Sequence, residues 1–501
     1  MSSSTTSLSH LLRDAFARHA AAGRTALLGT SESTTYARLG AQVDGYASAM
    51  RGVTRGESVG ILGSRSVESV ALFFGIMQAG GCPCFMEPGL ETDAVLRRMR
   101  AVGMRRIVLE DESQSMARDL EQGGRRVRRL ADLSSLTADS ERGVVESLTT
   151  SDRAMLLFTS GSTGQPKGVP LSHGSLRCHA DGIITHTSLT PADRLLHVMP
   201  LHHTNGVNNQ IIAPFLAGAS VALVDRFEAG QIEDQIGAYG ATYMTGVPTM
   251  YSRVLPYLRD PVMRRSLRFL RCGSAPITVQ LHRQIEAAFG VPLVVSYGLS
   301  EATCTSTMNP PDARRVGSVG TVLRGQQVRL FRPGTSEEVP PGTEGEVCIS
   351  GPCVMSGYVG AGVDQPIRDG WLRSGDLGQF DGDGYLSITG RIKDVIIRGG
   401  ENLSPRLIED AFRRHPAVQS CFVIGGPHAD LGEVPVAFVL LRDGETPRPD
   451  DVELRAFVAE RLPRAHIPAD IRFIDAWPET SVGKIDRRAL RKALRSSTAQ
   501  K

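Results

Sequence analysis

The sequence predicts an α/β fold: a large N-terminal domain of α/β subdomains with a small β-rich subdomain, then a small α+β C-terminal domain. Three observations carry this. Short apolar strands alternate with helical patterns through the first part, which argues for largely parallel sheets. From about Arg314 the pattern changes to strands and turns, "QQVRLF", "GEVCIS" and "GYLSI". Beyond "GYLSITGRIKD" a compact run of helices and strands forms a plausible separate domain. The expected division is 1–392 and 393–501. A chain of 501 residues is also long enough for two or more domains.

The elements follow in order. "SLSHLLRDAFARHA" reads as an amphipathic helix after a short polar lead. "VESVALFFGIMQAG" is a buried helix running into a buried strand at "GCPCFM", and "RRIVLED" is a strand. "EQGGRRVRRLADLSSLTADSERG" reads as polar surface. "AMLLFTS" is a strand, "SHGSLRCHADGIITH" a helix, and "ASVALVD" and "LRFLRCGSA" are strands. "TVQLHRQIEAAFG" is a helix with Gly290 as its C-cap. In the last part "SPRLIEDAFRRH" and "DVELRAFVAERL" are helices, and "CFVIGG", "PVAFVLL" and "DIRFID" are strands. No internal repeat is present.

Bulk composition excludes some classes. The chain is 41% hydrophobic and 22% charged, with net charge +3. That is ordinary for a globular protein and gives no support to nucleic acid or a membrane surface as partner. The N-terminus lacks a continuous apolar core of signal-peptide length, and Gly and Pro interrupt the longest apolar run. The eight cysteines are scattered without zinc-like spacing. They read as reduced core residues, and the protein as cytoplasmic. Of the 56 basic residues, only Lys167, Lys393, Lys484, Lys492 and Lys501 are lysines. Where arginine serves everywhere else, a lysine inside a motif suggests a need for a compact, mobile point charge.

"LFTSGSTGQPKGV" (157–169) combines glycines, hydroxyls and one lysine, the composition of a phosphate-binding loop. It is not the Walker loop. Counting from Gly161, the sixth residue is Pro166, and Gly168 stands after Lys167 where a Ser or Thr should hold Mg²⁺. Four further segments stand out. "VVSYGLSEAT" (294–303) carries Glu301 after a strand. "WLRSGDLGQFDGDGYLSITGRIKD" (371–394) carries Asp376, Arg391 and Lys393. "VIIRGGENLSPRLIED" (395–410) has Ser404 as an N-cap and Pro405 at the first helical position. "PETSVGKIDRRAL" (478–490) carries Lys484 in a turn.

Each segment alone has a bland reading as a loop or turn. In this order they resemble the adenylate-forming superfamily of acyl-CoA synthetases, adenylation enzymes and luciferases. The resemblance runs from "TTYARLGAQV" (34–43) to "GKIDRRAL" and is closest to the acid–CoA ligases, because of "GGENLSP". It implies that a carboxylate attacks the α-phosphorus of ATP, releasing pyrophosphate, and that the acyl group then passes to CoA. Thr159, Ser160, Gly161, Ser162, Thr163, Gly164 and Lys167 would hold the outer phosphates. "RCGSAPI" (271–277), with Gly273, Ser274 and Ala275, would surround the adenine together with Tyr297, Gly298 and Ser300. Asp376 would take the ribose hydroxyls, Arg391 would contact ribose or phosphate, and Glu301 would hold Mg²⁺. Lys484 would bridge the carboxylate and the α-phosphate. By this resemblance the site is assembled between domains. Lys393 would be the hinge about which a mobile C-terminal domain turns, bringing Arg398, Gly399, Gly400 and Glu401 to the pantetheine arm of CoA.

The segment "PLHHTNGVNN" (200–209) aligns with the acyl pocket and its aromatic gate, commonly Phe-His. Here His202 replaces the Phe and His203 keeps the His, whose task would be to gate the carboxylate. Asn205 is a natural N-cap with Gly206 beside it, and Asn208 or Asn209 could face the cleft. A hydrocarbon chain would leave such an amide unpaired. The expected substrate is therefore a small or medium acid with a polar or aromatic group. Two alternatives stay open: a stand-alone adenylation enzyme serving a carrier-protein pantetheine thiol or an amine, and a catalytically silent nucleotide-binding regulator. The expected state is monomer or homodimer.

Overall fold

The computed structural model describes residues 6–29, 32–110, 114–135, 147–160, 166–360, 365–442, 448–479 and 485–498. The chain divides into two compact units. The first takes Met1–Val328 and Cys348–Arg373, the second Arg329–Val347 and Ser374–Lys501. This division differs from the expected boundary at 392/393, because a stretch of the β-rich segment packs within the second unit.

The first unit is built on a nine-stranded sheet in the order Thr321–Val322, Thr307–Met308, Leu293–Tyr297, Phe269–Cys272, Tyr243–Gly246, Arg194–His197, Ser220–Leu223, Thr25–Leu28, Ser33–Thr35. From Leu293–Tyr297 to Thr25–Leu28 every pairing is parallel, and the edges are antiparallel. The central strands are buried without alternation, as expected for strands covered on both faces. One face packs against Leu8–Ala21, His173–Thr187 and their neighbours. The other packs against Ile232–Tyr239 and Val279–Phe289. A second, parallel sheet runs Cys82–Phe85, Ser58–Leu62, Arg106–Leu109, Arg126–Arg129. Together these bear out the α/β class.

Local signals explain the helix ends. The Ser172 hydroxyl accepts from the Ser175 amide while Ser175 caps in return, so His173–Thr187 begins with a capping box. Gly290 ends Val279–Phe289 in the left-handed region, φ +73°, as the sequence predicts. The described part of the stretch read as polar surface is mostly exposed or half-buried, but it also contains regular structure that the sequence reading did not name. It holds the strand Arg126–Arg129 and the helix Leu130–Ser135. That strand lies at a sheet edge with a single neighbour, where charged residues are at home, and three of its four side chains are arginines that hide the β signal.

Asn205 is not an N-cap. A π-helical stretch, Asn205–Ile212, runs straight into Ala213–Ala217, and the residue before it, Thr204, is already helical and makes no side-chain cap bond. π-Turns of this kind are rare and concentrate at functional sites. All eight residues are buried. Gly206 is required at its position, since a Cβ there would lie 2.0 Å from the Pro200 carbonyl oxygen.

In the second unit, the strand Trp371–Phe380 from Ser374 onward pairs antiparallel with Leu386–Arg391. A second sheet runs Glu401–Leu403, Ile396–Arg398, Gly432–Leu441, Val418–His428, with Asp470–Ile474 parallel to Gly432–Leu441. Ile408 and Phe412 from Pro405–Phe412 and Leu454 and Val458 from Asp451–Ala459 pack into the core on one face of this sheet. Pro405 sits at the helix start as predicted. Ser404 holds the N-cap position, but its hydroxyl donates to the Thr389 carbonyl rather than capping.

Gly206→Ala should destabilise the first unit by about 3 kcal/mol, the upper end of overpacking costs, because the atom it meets is backbone. Urea unfolding measures this, and an unchanged midpoint would contradict the close approach.

Candidate active site

The candidate phosphate loop joins the hairpin strands Arg153–Ser160 and Pro166–Ser172. Thr159 pairs directly with Lys167 across it. Gly161, Ser162, Thr163 and Gly164 lie outside the described residues, as do Lys484 and the side chain of Ser160. The Lys167 ammonium sits 4.9 Å from the centre of the Tyr358 ring. The Tyr358 hydroxyl in turn donates to Glu301 Oε1 at 2.6 Å. Burial and the Glu301 charge push the Tyr358 hydroxyl far up, so it stays a donor. Within the first unit a cation, an aromatic ring and a carboxylate thus form one line. Sequence reading missed Tyr358. Its signal is faint, an aromatic between glycine turns in "MSGYVG".

Glu301 lies in a single tight turn, Ser300–Ala302, just after the strand Leu293–Tyr297. The turn is forced. A Cβ on Gly298 would sit 2.1 Å from the Cys304 carbonyl oxygen, and Thr303 and Cys304 hold φ of +65° and +120°. Such conformations persist only when the surroundings over-determine them. Here the Thr303 hydroxyl donates to the Cys353 carbonyl at 2.5 Å, and the Met355 amide donates to the Glu301 carbonyl at 2.8 Å. The neighbouring parallel strand, Phe269–Cys272, ends in Gly273, Ser274 and Ala275, with Ser274 at φ +66°. Ligands of open α/β sheets bind outside the carboxyl ends of strands, where both turns lie. Arg271 is not part of that turn. It sits inside the strand and is 1% exposed.

The acyl-pocket candidates gather around the π-helix. The His202 and His203 rings lie 4.6 Å apart. Burial lowers the His202 pKa, and its Nε2 is buried with no hydrogen-bond partner. Asn208 donates from Nδ2 to the Thr303 carbonyl at 2.8 Å, while its Oδ1 is buried and unpartnered. Asn209 donates to Asn205 Oδ1 at 3.0 Å and to Cys304 Sγ at 3.1 Å. So Asn205 braces the π-turn rather than starting it. His197, overlooked in the sequence, meets the Gly206 carbonyl with Nε2 at 2.9 Å. Burial holds its pKa at about 3.

In the second unit, Arg391 Nε reaches Asp376 Oδ1 at 2.5 Å, and the two residues pair across the hairpin. Asp376 is almost wholly buried and Arg391 is about half exposed. Lys393 is exposed in the turn Ile392–Asp394, whose Asp394 pairs with Arg491 at 3.0 Å. Arg398 and Glu401 face each other across a hairpin whose turn is Gly399–Gly400, with φ of +56° and +89°. A two-residue hairpin of this type needs both positive angles, so both glycines have a backbone reason to be there.

Among the described residues no group of three or more His, Cys, Asp or Glu is arranged to hold a metal, and no helix is long and apolar enough to cross a membrane. The cysteines are free thiols.

This geometry matches known proteins over nearly the whole chain. The crystal structure of ATP-bound MatB from Rhodopseudomonas palustris superposes with a TM-score of 0.90 at 29% identity, covering 97% of this chain and 98% of that one. The sulfoacetate–CoA ligase of Cupriavidus necator is 38% identical over 67% of this chain, an alignment spanning 66% of that protein. The indoleacetate–CoA ligase of Aromatoleum aromaticum is 31% identical over 95% of this chain and 96% of its own length. The relatives are CoA ligases, as the motifs implied. Residues 407–484 match the AMP-binding enzyme C-terminal domain and residues 13–359 match the AMP-binding enzyme family, to which this chain belongs.

Proposed function

We propose that this AMP-binding enzyme is an ATP-dependent acid–CoA ligase: a carboxylate and ATP give an acyl-adenylate and pyrophosphate, and the CoA thiol then displaces AMP. The observation that carries this reading is the line from Lys167 through Tyr358 to Glu301. A carboxylate attacking a phosphate must overcome like-charge repulsion, and pyrophosphate leaves with growing charge. Lys167 and the hydroxyls of residues 159–163 are assigned to the outer phosphates.

Glu301 fits a role in holding Mg²⁺. One of its oxygens is fixed by Tyr358, and the described residues form no all-protein cage. Mg²⁺ commonly takes one or two carboxylates and completes its shell with phosphate oxygens and water. When bound, the ion would neutralise charge on the phosphates. Asp376 is assigned to the ribose hydroxyls, with Arg391 holding its carboxylate in place. Gly273, Ser274, Ala275, Tyr297, Gly298 and Ser300 are assigned to the adenine, and His202, His203, Gly206 and Asn208 to the acid. Lys484 neutralises the attacking carboxylate and the α-phosphate. A division at 392/393, with Lys393 as hinge, and a pantetheine path past Arg398, Gly399, Gly400 and Glu401 complete the proposal.

Carboxylate-dependent exchange of pyrophosphate into ATP tests the function. Exchange followed by thioester formation with free CoA is the expected result. Exchange without CoA transfer would point to a carrier protein, and no exchange with any acid would overturn the reading. Lys484→Ala should lose about 10²–10³-fold in exchange, yet still form thioester from a supplied acyl-adenylate.

Tyr358→Phe releases one Glu301 oxygen. It should raise the Mg²⁺ concentration for half-maximal exchange by about 10-fold or more, with near-normal rates at saturating Mg²⁺. Gly400→Asn adds bulk while tolerating φ above zero, and nothing lies within 4 Å of its Cβ. It should slow CoA transfer and spare exchange. An equal loss in both steps would reduce Gly400 to a turn residue.

A further inference from the structure

Arg271 is a buried cation with no counter-charge. It is 1% exposed, and Nε, Nη1 and Nη2 all lack a hydrogen-bond partner. A guanidinium cannot shed its proton to escape the cost of burial. No described Asp or Glu forms an ion pair or hydrogen bond with it; the groups that feel its charge include Tyr243, Cys304 and His179. Its position fixes where it points. Arg271 stands opposite Thr245, and the Tyr243 and Phe269 rings stack at 5.2 Å one pleat earlier. All four side chains therefore share the sheet face covered by His173–Thr187 and the π-helix.

The same space holds further unused polar groups. His179 Nε2 accepts from the Thr305 amide at 3.2 Å, which puts the proton on Nδ1. That Nδ1 is buried and has no partner. Burial and the Arg271 charge keep the ring neutral, with a pKa of about 3. Thr245 Oγ1 and Tyr243 Oη are likewise buried and unpartnered. Asn209 links this cluster to the proposed acyl pocket, since its Nδ2 meets Cys304 Sγ and lies 3.4 Å from Thr305 Oγ1. Arg271 is two residues before Gly273, roughly 7 Å along the strand.

We propose that the acid activated by this enzyme carries a second anionic group, a carboxylate or sulfonate, bound by the Arg271 fork with the His179 Nδ1–H as a further donor. The inference rests on the ligase reading and names its substrate class: short dicarboxylic or sulfocarboxylic acids. A planar guanidinium takes two oxygens of such a group at once. An acid with a neutral tail leaves the buried donors unpaired.

Pyrophosphate exchange with wild-type enzyme tests this on matched pairs. Malonate is compared with malonamate, succinate with succinamate, and sulfoacetate with methylsulfonylacetate. The dianion of at least one pair should exceed its neutral-tailed mate by about a hundredfold or more in kcat/KM, and the pair that does so identifies the group as carboxylate or sulfonate. Arg271→Met, unbranched and apolar, should abolish that preference while leaving the weak activity on the neutral-tailed acid within a few-fold. Equal losses on both acids, or wild-type activity confined to monoanionic acids, would overturn this proposal alone. No exchange with any acid would overturn the ligase reading and this inference with it. Should Arg271→Met fail to fold, the wild-type pairs decide.

Discussion

The hydrogen bond from Tyr358 to Glu301 organises the first unit around its chemistry. It joins three stretches far apart in sequence: the strained turn after Leu293–Tyr297, the segment ending at Val359, and the hairpin that presents Lys167. Val359 itself bridges to Gly168, and its amide donates to the Gly168 carbonyl at 2.9 Å. The carboxylate would otherwise swing on a one-turn support. With the tyrosine in place, one oxygen is held and the other stays available for a hard cation.

The same turn connects to the proposed acid pocket. Thr303 accepts from Asn208 on the π-helix, and Asn209 reaches Cys304. A regular helix would advance by one residue less per hydrogen-bonded turn. Along this stretch Asn205 and Asn209 bond each other while Asn208 reaches the Glu301 turn. Buried amides cost about 1–3 kcal/mol each when unpaired, so a helix with four polar residues inside a core is a costly element. Its retention fits a polar ligand better than a hydrocarbon one, in agreement with the uncompensated guanidinium of Arg271 opposite it.

Much of the fold was legible because local chemistry agrees with tertiary packing. The helix His173–Thr187, the C-cap at Gly290, Pro405 at a helix start and the short buried strands all stand where the residues predict. Glu301, Asp376 and Lys167 could be singled out because their motifs carry unusual residues in unusual order. Three features were hidden. Arg126–Arg129 read only as polar surface because an edge strand rich in arginine carries little β signal. Asn205 looked like a cap because cap preference is a statement about helix ends, and the helix had already begun. His179 was not singled out, because on the helix His173–Thr187 it shares a face with Leu176 and Ile183 and only the fold shows what its ring faces.

The sequence by itself determined the family chemistry: a glycine- and hydroxyl-rich loop with one lysine, a carboxylate after a strand, and glycines where backbone angles turn positive. These depend on residue type and short-range spacing, which a linear chain displays. Tertiary structure alone decided which charges are answered. Asp376 has Arg391 beside it, Glu301 has Tyr358, and Arg271 has no acidic partner. Asp376 and Arg391 meet across one hairpin, but the other two outcomes depend on segments distant in sequence, so no spacing in the chain reveals them.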